Sequence, residues 1–524
     1  MKKQHKKLKM SLKNFVAYGF TYIVGVTFLS QIAIYSQNTT NDDGTVASKG
    51  IGMYIILVFA IAGLMAYIIA RAFGRLSTIF KTDQNGGAYI FARATFGKFI
   101  GILIMVINYT ILPIYIVYQI DTLIKVSFSS EFSSTNSWWT GKWGGDWQNL
   151  YLDLISIAIY LSASLTIFLG AKIYKKILAV SSIVQWIPPA LLLVGGIILA
   201  FNSGTGNWGA WANQSNPGNV STNIRTYAGC FMAAFFYFSG FETFITAGKN
   251  IEKPEKNIPL GFIIIMGLEI VFYSFYFVIM FLALAPGNFV QNEYINFFDN
   301  GWWGVFRYIG VATMLFYAIS MKINSSVQNA LYGGTQLQPM SNEGFISRKF
   351  SSLNHEDIAK KASWLNQMVV VGFVLVWLII PDFIQAIMGE DKSVFDVRDI
   401  TEATASYSII IYIFVLVCMI TNIFKKNIKV NVFETICYMF VLLLMCAIFV
   451  YHWIGVFEAL MANELVGYVE VVSISLILIG FTTWYFTGFK HYYAKNIAPN
   501  KRLVNEIESQ FVLIKQPSKN KIAK

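Results

Sequence analysis

Runs of about twenty apolar residues, each long enough for one crossing of a bilayer, recur along the whole 524-residue chain. They fall near residues 14–36, 52–72, 98–123, 151–170, 177–201, 226–247, 259–285, 303–325, 365–389, 405–424, 433–455 and 467–489. That predicts about twelve transmembrane helices in an all-α integral membrane protein. Span nine contains Pro381, which cannot donate the hydrogen bond a helix interior needs. No loop is long enough for a separate folded domain. The tails 1–13 and 490–524 are expected to be short, polar and flexible.

Composition agrees with the pattern: 56% of residues are hydrophobic and 13% charged, where a soluble chain carries about 25% charge. The net charge of +12 is distributed by loop. Basic residues crowd the N-tail (Lys2, Lys3, Lys6, Lys7, Lys9), the region after span two (Arg71, Arg75, Lys81, Arg93, Lys98) and the later loops around Lys175, Lys253, Lys360 and Lys426. The intervening loops have few. Alternating basic loops require an even span count with both termini cytoplasmic, and they speak for a bilayer partner and against nucleic acid. The basic start before an apolar run is expected to be a retained first span, not a cleaved leader. Trp138, Trp139, Trp143, Trp147, Trp302 and Trp303 fall in the outer loops, where indole rings anchor at headgroup level. Cys230, Cys418, Cys437 and Cys446 lie inside apolar runs without metal or disulfide spacing, and the four histidines form no cluster. No cofactor is implied.

Two spans are interrupted at comparable places. Span one reads Gly19 to Phe28 with Gly25 inside it, and span six carries Phe238-Ser239-Gly240-Phe241-Glu242 after the aromatic run from Phe235. A glycine there is either a packing notch or a point where the helix unwinds and offers backbone groups to a ligand. Interruptions in corresponding helices of inverted repeats point to a site at the membrane midplane, where a half-helix start favours an anionic group and freed carbonyls favour a cation.

The loop Asn85-Gly86-Gly87-Ala88-Tyr89, the break Ser239-Gly240-Phe241-Glu242, its exit Glu255-Lys256-Asn257-Ile258-Pro259, and Asn342-Glu343-Gly344 after span eight together resemble the amino acid permeases of the amino acid–polyamine–organocation (APC) superfamily. The motifs cover about the first 350 residues; the rest agrees by span count. The resemblance implies a leucine-transporter-like fold of two five-helix inverted repeats, residues 14–201 and 226–424, plus two further helices over 433–489. It also implies substrate-binding groups at Gly25, Val26 and Thr27 in span one and at Phe238, Ser239 and Gly240 in span six. Thr27 stands where the family has a second glycine. Gln185 stands where many members carry a lysine that substitutes for a sodium ion, and Asn250 replaces a frequent glutamate.

Charges inside spans cost about 2.5–3.5 kcal/mol at a helix centre and are functional candidates by default. Glu242, beside the break, is expected to gate or couple; Glu269 in span seven either couples or is a protonated structural carboxyl. Lys322 is expected to snorkel from the cytoplasmic end of span eight, and Asp121 to pair with Lys125. Asn324, Ser325 and Ser326 are candidates for a cation site, although Ser hydroxyls on membrane helices often bond their own backbone. Tyr22, Asn108 and Tyr109 are further pocket candidates by position.

The expected function is a secondary active transporter that moves amino acids or close amine relatives across the plasma membrane by alternating access, with H+ or Na+ as coupling ion. An exchanger of the same fold is the alternative, and a non-transporting amino acid sensor ranks below both. A membrane enzyme would need a nucleophile, base or metal cluster that the spans lack. Which amino acid is carried, and the oligomeric state, are not legible in the sequence.

Overall fold

Within a hydrocarbon layer the backbone has no water to bond, so helices are the economical way to satisfy it. The computed structural model describes residues 9–24, 35–40, 46–80, 85–128, 147–286, 307–388, 397–462 and 465–513, and these are almost entirely helical. After α1 (Leu12–Ile23) comes a small ribbon of β1 (Thr39–Thr40) and β2 (Val46–Ser48). Then follow α2 (Tyr54–Ser77), α3 (Ala88–Phe96), α4 (Lys98–Phe128) and α5 (Gln148–Ser164). A 3-10 turn leads into α6 (Ala171–Val184), α7 (Ile187–Ser203) and the short α8 (Gly206–Gln214). Next are α9 (Ile224–Phe238), α10 (Phe241–Phe244), a 3-10 segment Ile245–Asn250 and α11 (Pro254–Ala283). The second half holds α12 (Arg307–Glu343), α13 (Lys360–Val374), α14 (Ile380–Met388), α15 (Val397–Phe424), α16 (Val432–Met461) and α17 (Leu465–Trp484). Two short helices, α18 (Lys490–Asn496) and α19 (Lys501–Glu508), close the described chain.

Nine helical stretches among the described residues are long and apolar enough to cross a membrane. The other three expected spans fall on helices that are short or polar for physical reasons. Helix α1 ends at Ile23 and the rest of 14–36 lies outside the described residues. Helix α9 stops at Phe238 because the chain turns at Gly240. Helix α12 runs 37 residues, well past the expected end at 325. Its second half is polar yet interior: Asn324, Gln328, Asn329 and Gln336 are all fully buried. A hydropathy window reads such a stretch as a loop, because it scores polarity and not which way a side chain faces. Pro381 is absorbed by a π-helical turn at Leu375–Ile379 just before it, which re-routes the hydrogen bond proline cannot donate.

The expectation of flexible tails is corrected. Residues 490–511 are largely helical and packed, with Ile497 and Ile507 buried. Glu508 of α19 meets Arg93 of α3 at 2.7 Å, and the Phe511 ring lies under the Arg93 guanidinium at 4.8 Å. The same guanidinium donates to Glu343 at 2.9 Å, and that carboxylate also accepts from the Tyr89 hydroxyl at 2.6 Å. The basic loops gather at this end of the bundle. Lys9 donates to the Lys249 carbonyl, Lys175 to the Lys9 carbonyl at 2.7 Å, and Gly86 N–H to the Thr246 carbonyl at 3.0 Å. Both ends of the described chain therefore meet the segment from Gly86 to Arg93 and its neighbours. At the opposite end α8, a helix the sequence pattern did not predict, plugs the bundle: Trp211 is fully buried and donates to the Leu284 carbonyl at 2.7 Å.

The Arg93–Glu343 pair is buried, at 8% and 1% side-chain exposure, whereas Glu508 is 44% exposed. Removing one member of a buried pair costs about 3–5 kcal/mol, and removing an exposed partner about 0–1 kcal/mol. Glu343→Ala is expected to lower the thermal midpoint of the detergent-solubilised protein far more than Glu508→Ala. Equal shifts in the two variants would refute this hierarchy.

Candidate functional site

The interruption in the sixth expected span is built from four consecutive positions. The Ser239 N–H and its hydroxyl both turn back to the Phe236 carbonyl, at 3.1 and 2.7 Å, which ends α9. Gly240 then takes φ 113° and ψ −19°, a left-handed conformation that costs a residue with a Cβ about 1–2 kcal/mol. Helix α10 starts at Phe241. Glu242, in its first turn and 1% exposed, reaches back so that its Oε2 accepts the Gly240 N–H at 2.9 Å. The Tyr412 hydroxyl of α15 donates to the same oxygen. Glu242 thus satisfies a helix-start donor that would otherwise be orphaned, and it ties the break to a second helix.

Around this turn lies a small, partly open chamber. Tyr22, Ile23 and Val24 from the end of α1 form one wall, and Tyr115, Tyr118 and Gln119 of α4 another. Phe236, Ser239, Gly240 and Glu242 supply the third, with Lys322 and Ser325 of α12 and Thr404 and Ser408 of α15 completing it. The aromatic rings support one another: Tyr22 meets Tyr332 edge-on at 5.2 Å, and Phe236 lies 6.2 and 6.3 Å from Tyr115 and Tyr118. The Tyr22 hydroxyl donates to Asn329 Oδ1 at 2.8 Å and so fixes the end of α1 against α12.

Beside the chamber is a neutral hydrogen-bond network. Gln185 donates to the Thr21 carbonyl at 2.8 Å and accepts from Asn324 Nδ2 at 2.7 Å. Asn324 Oδ1 in turn accepts from Ser181 at 2.7 Å and Ser182 at 3.3 Å. Ser325 and Ser326 both donate to the Lys322 carbonyl one turn back, at 3.0 and 2.6 Å. Of the polar groups named from the sequence as a cation site, Asn324 is engaged by Gln185, Ser181 and Ser182, and Ser325 and Ser326 by their own helix.

The chamber gathers Tyr22, Ser239, Gly240, Glu242 and Ser325 of the sequence candidates. It leaves others aside. The Phe238 ring packs behind the break on Tyr273, 5.1 Å away. Asn108 is buried elsewhere on α4, and its neighbour Tyr109 donates to Asn366 at 3.1 Å. Gln185, Asn324 and Ser326 belong to the adjoining polar contacts, and Glu269 is buried on α11 outside the chamber lining. Gly25, Val26 and Thr27 lie outside the described residues. Lys322 differs from expectation: it stands near the middle of α12, 3% exposed, within electrostatic reach of Asp121, because the helix continues five turns beyond it. Sequence reasoning missed Tyr115, Tyr118 and Gln119, whose i, i+3, i+4 spacing on an apolar span was a readable signal. It also missed Tyr412, which carried none.

A helix bundle with a broken helix at a central polar chamber is the architecture of a membrane transport protein. The amino acid permease family matches residues 17–453, and the chain belongs to that family. Human cationic amino acid transporter 4 is 22% identical over 43% of this chain, a match that spans 34% of the human protein's length. An uncharacterized Mycoplasma genitalium protein is 21% identical over 80% of this chain and 81% of its own. An uncharacterized transporter of Mycobacterium tuberculosis is 22% identical over 40% of this chain and 44% of its own.

An added Cβ at Gly240 would find ordinary contacts, 3.5 Å from Ile23 and from Tyr22, so the cost of a larger residue there is backbone strain and not collision. Gly240→Ala is expected to destabilise the protein by about 1–2 kcal/mol, whereas Gly372→Ala, inside α13 where an added Cβ would meet open space, should change the thermal midpoint much less. A neutral result at Gly240 would show that the left-handed turn is not needed.

Proposed function

We propose that this protein is a secondary active transporter that moves amino acids across the plasma membrane by alternating access. The observation that carries the reading is the chamber at the Gly240 turn, whose lining includes one acidic and one basic side chain. Twelve crossings arranged as two inverted five-helix repeats and a final pair are consistent with the helix order and with both described ends meeting on one face. The crowding of Lys9, Lys175, Lys249 and Arg93 on that face supports a cytoplasmic location for it.

Glu242 and Lys322 both line the chamber. An acidic and a basic side chain lining one cavity offer a hydrogen-bonding partner to each end of a zwitterion and no surplus of either sign for an extra side-chain charge. The preferred substrates in this reading are therefore amino acids with uncharged side chains. Substrate groups would engage the backbone around Ser239 and Gly240, with the tyrosines of α1 and α4 closing over the side chain. Exchange of one amino acid for another is the second mode that the same chamber supports.

Reconstituted in liposomes, the protein is expected to exchange labelled leucine- or alanine-type amino acids better than lysine or glutamate. Absence of any amino acid exchange would overturn the proposal. Glu242→Gln keeps an acceptor for the Gly240 N–H but loses the charge-assisted bond, a difference worth roughly tenfold. Its maximal uptake rate should fall by about that factor, and an unchanged rate would remove Glu242 from the gating step.

A further inference from the structure

Beyond α17 the chain runs through a π-helical turn at Tyr485–Phe489 into α18, α19 and a 3-10 turn at Ser509–Phe511. Helix α19 is polar on most sides, but Ile507 is buried, so it offers one apolar stripe to the bundle. The segment first crosses the end of α12. The Trp484 indole donates to the Phe345 carbonyl at 2.9 Å, and the Phe489 ring lies 5.6 Å from that of Phe345. Gly344 packs so closely on Ile497 that an added Cβ would stand 2.5 Å from its side chain. From there the segment reaches α3 and the start of α4. Glu508 pairs with Arg93 at 2.7 Å, the Phe511 ring meets Tyr89 edge-on at 5.5 Å, and Lys98 Nζ sits 3.4 Å over the Tyr493 ring.

Helix α3 is itself attached to the segment that follows the break. The Gly86 N–H donates to the Thr246 carbonyl at 3.0 Å, and a Cβ on Gly87 would stand 2.7 Å from the Ile245 side chain. The hydroxyls of Thr246 and Thr335, the latter on α12, bond each other at 2.9 Å. Ile245, Thr246 and Ala247 are all buried. Thr243 lines the chamber, and Thr335 stands roughly 15 Å beyond Ser325 along α12. The 3-10 segment Ile245–Asn250 therefore forms a layer between the chamber and the end of the bundle where α12 finishes. Tyr89 and Arg93 complete the layer by holding α3 on Glu343.

We infer that the segment from α18 to Phe511 is a clamp on this layer: it holds α3, α3 holds the chain after the Gly240 break, and the chamber opens toward this end only when the clamp lets go. The inference rests on reading the chain as an amino acid transporter. Glu508 and Phe511 are positioning residues in it, since neither lines the chamber. The two ends of the clamp differ in strength. Ile497, Phe489 and Phe345 are buried, so α18 stays seated on α12. The grip on α3 rests on a carboxylate that is 44% exposed and on the half-buried Phe511 ring. Contacts of this kind shift an equilibrium by about two- to fivefold each, enough to bias a gate and little enough to break in every cycle. Arg93 keeps Glu343 when Glu508 leaves, so release strands no buried charge.

The test uses the full-length protein with Glu508→Ala, Phe511→Ala and, as control, Glu506→Ala, which removes the same charge from the exposed side of α19. Amide hydrogen exchange of residues 241–250 is expected to quicken about two- to fivefold in E508A and in F511A, and about tenfold with both together. The thermal midpoint should change little, and E506A should match the wild type. In liposomes the maximal rate of labelled alanine exchange should rise about two- to fivefold in E508A and F511A, because the contact is made only while this end is closed. A contact that merely stabilised the fold would lower both the midpoint and the rate. Unchanged hydrogen exchange at 241–250 in E508A and F511A, an equal change in E506A, or a maximal rate that stays level or falls would each overturn the inference. Absence of alanine exchange by the wild type would instead sink the transporter reading, while the hydrogen-exchange result would still decide whether the clamp holds the chain after the break.

Discussion

The contact on which the site depends is the reach of one carboxylate across a broken helix. A left-handed turn at Gly240 strands a backbone donor inside the membrane, where an unpaired N–H costs several kcal/mol. Glu242 accepts that donor, and Tyr412 anchors the carboxylate to α15. The turn, the start of α10 and the position of a distant helix are thus set by one oxygen atom. Phe241 stacked on Tyr412 and Phe262 beside it convey any change at this oxygen to α11 and α2. A rearrangement of the break has no path that leaves these helices unmoved.

Much of this was legible beforehand because the governing forces act locally along the chain. Apolar runs announced the spans, and the glycine with its neighbouring carboxylate announced the break. The polar half of α12 was not legible: Asn324, Gln328, Asn329 and Gln336 are buried, and their burial is decided by the helices facing them. Misjudging that helix moved Lys322 from the bundle's centre to its edge. The C-terminal helices escaped for the opposite reason. Their sequence is polar enough to be solvated, and partners such as Arg93, Tyr89, Lys98 and Gly344 give them a surface to fold on.

Two features of the charge distribution frame the chemistry proposed for the chamber. Gln185 uses its amide on both sides, donating to Thr21 and accepting from Asn324, so no charge needs balancing there. A lysine is present nonetheless, on α12, facing the chamber from another wall. Lys322 and Glu242 line the chamber together, whereas Glu269 is buried on α11 outside its lining.

The tie between Arg93 and Glu508 joins residues 415 positions apart. At roughly 5–20 residues per second, a ribosome needs about 20–80 s to make the chain between them. Through that interval the third helix is already in place while the segment that covers it does not yet exist. The nascent bundle is therefore open on that face until α19 is made, with the Arg93 guanidinium sharing Glu343 with Tyr89 alone once α12 has emerged. Emergence of α19 is itself the event that shuts this side of the molecule.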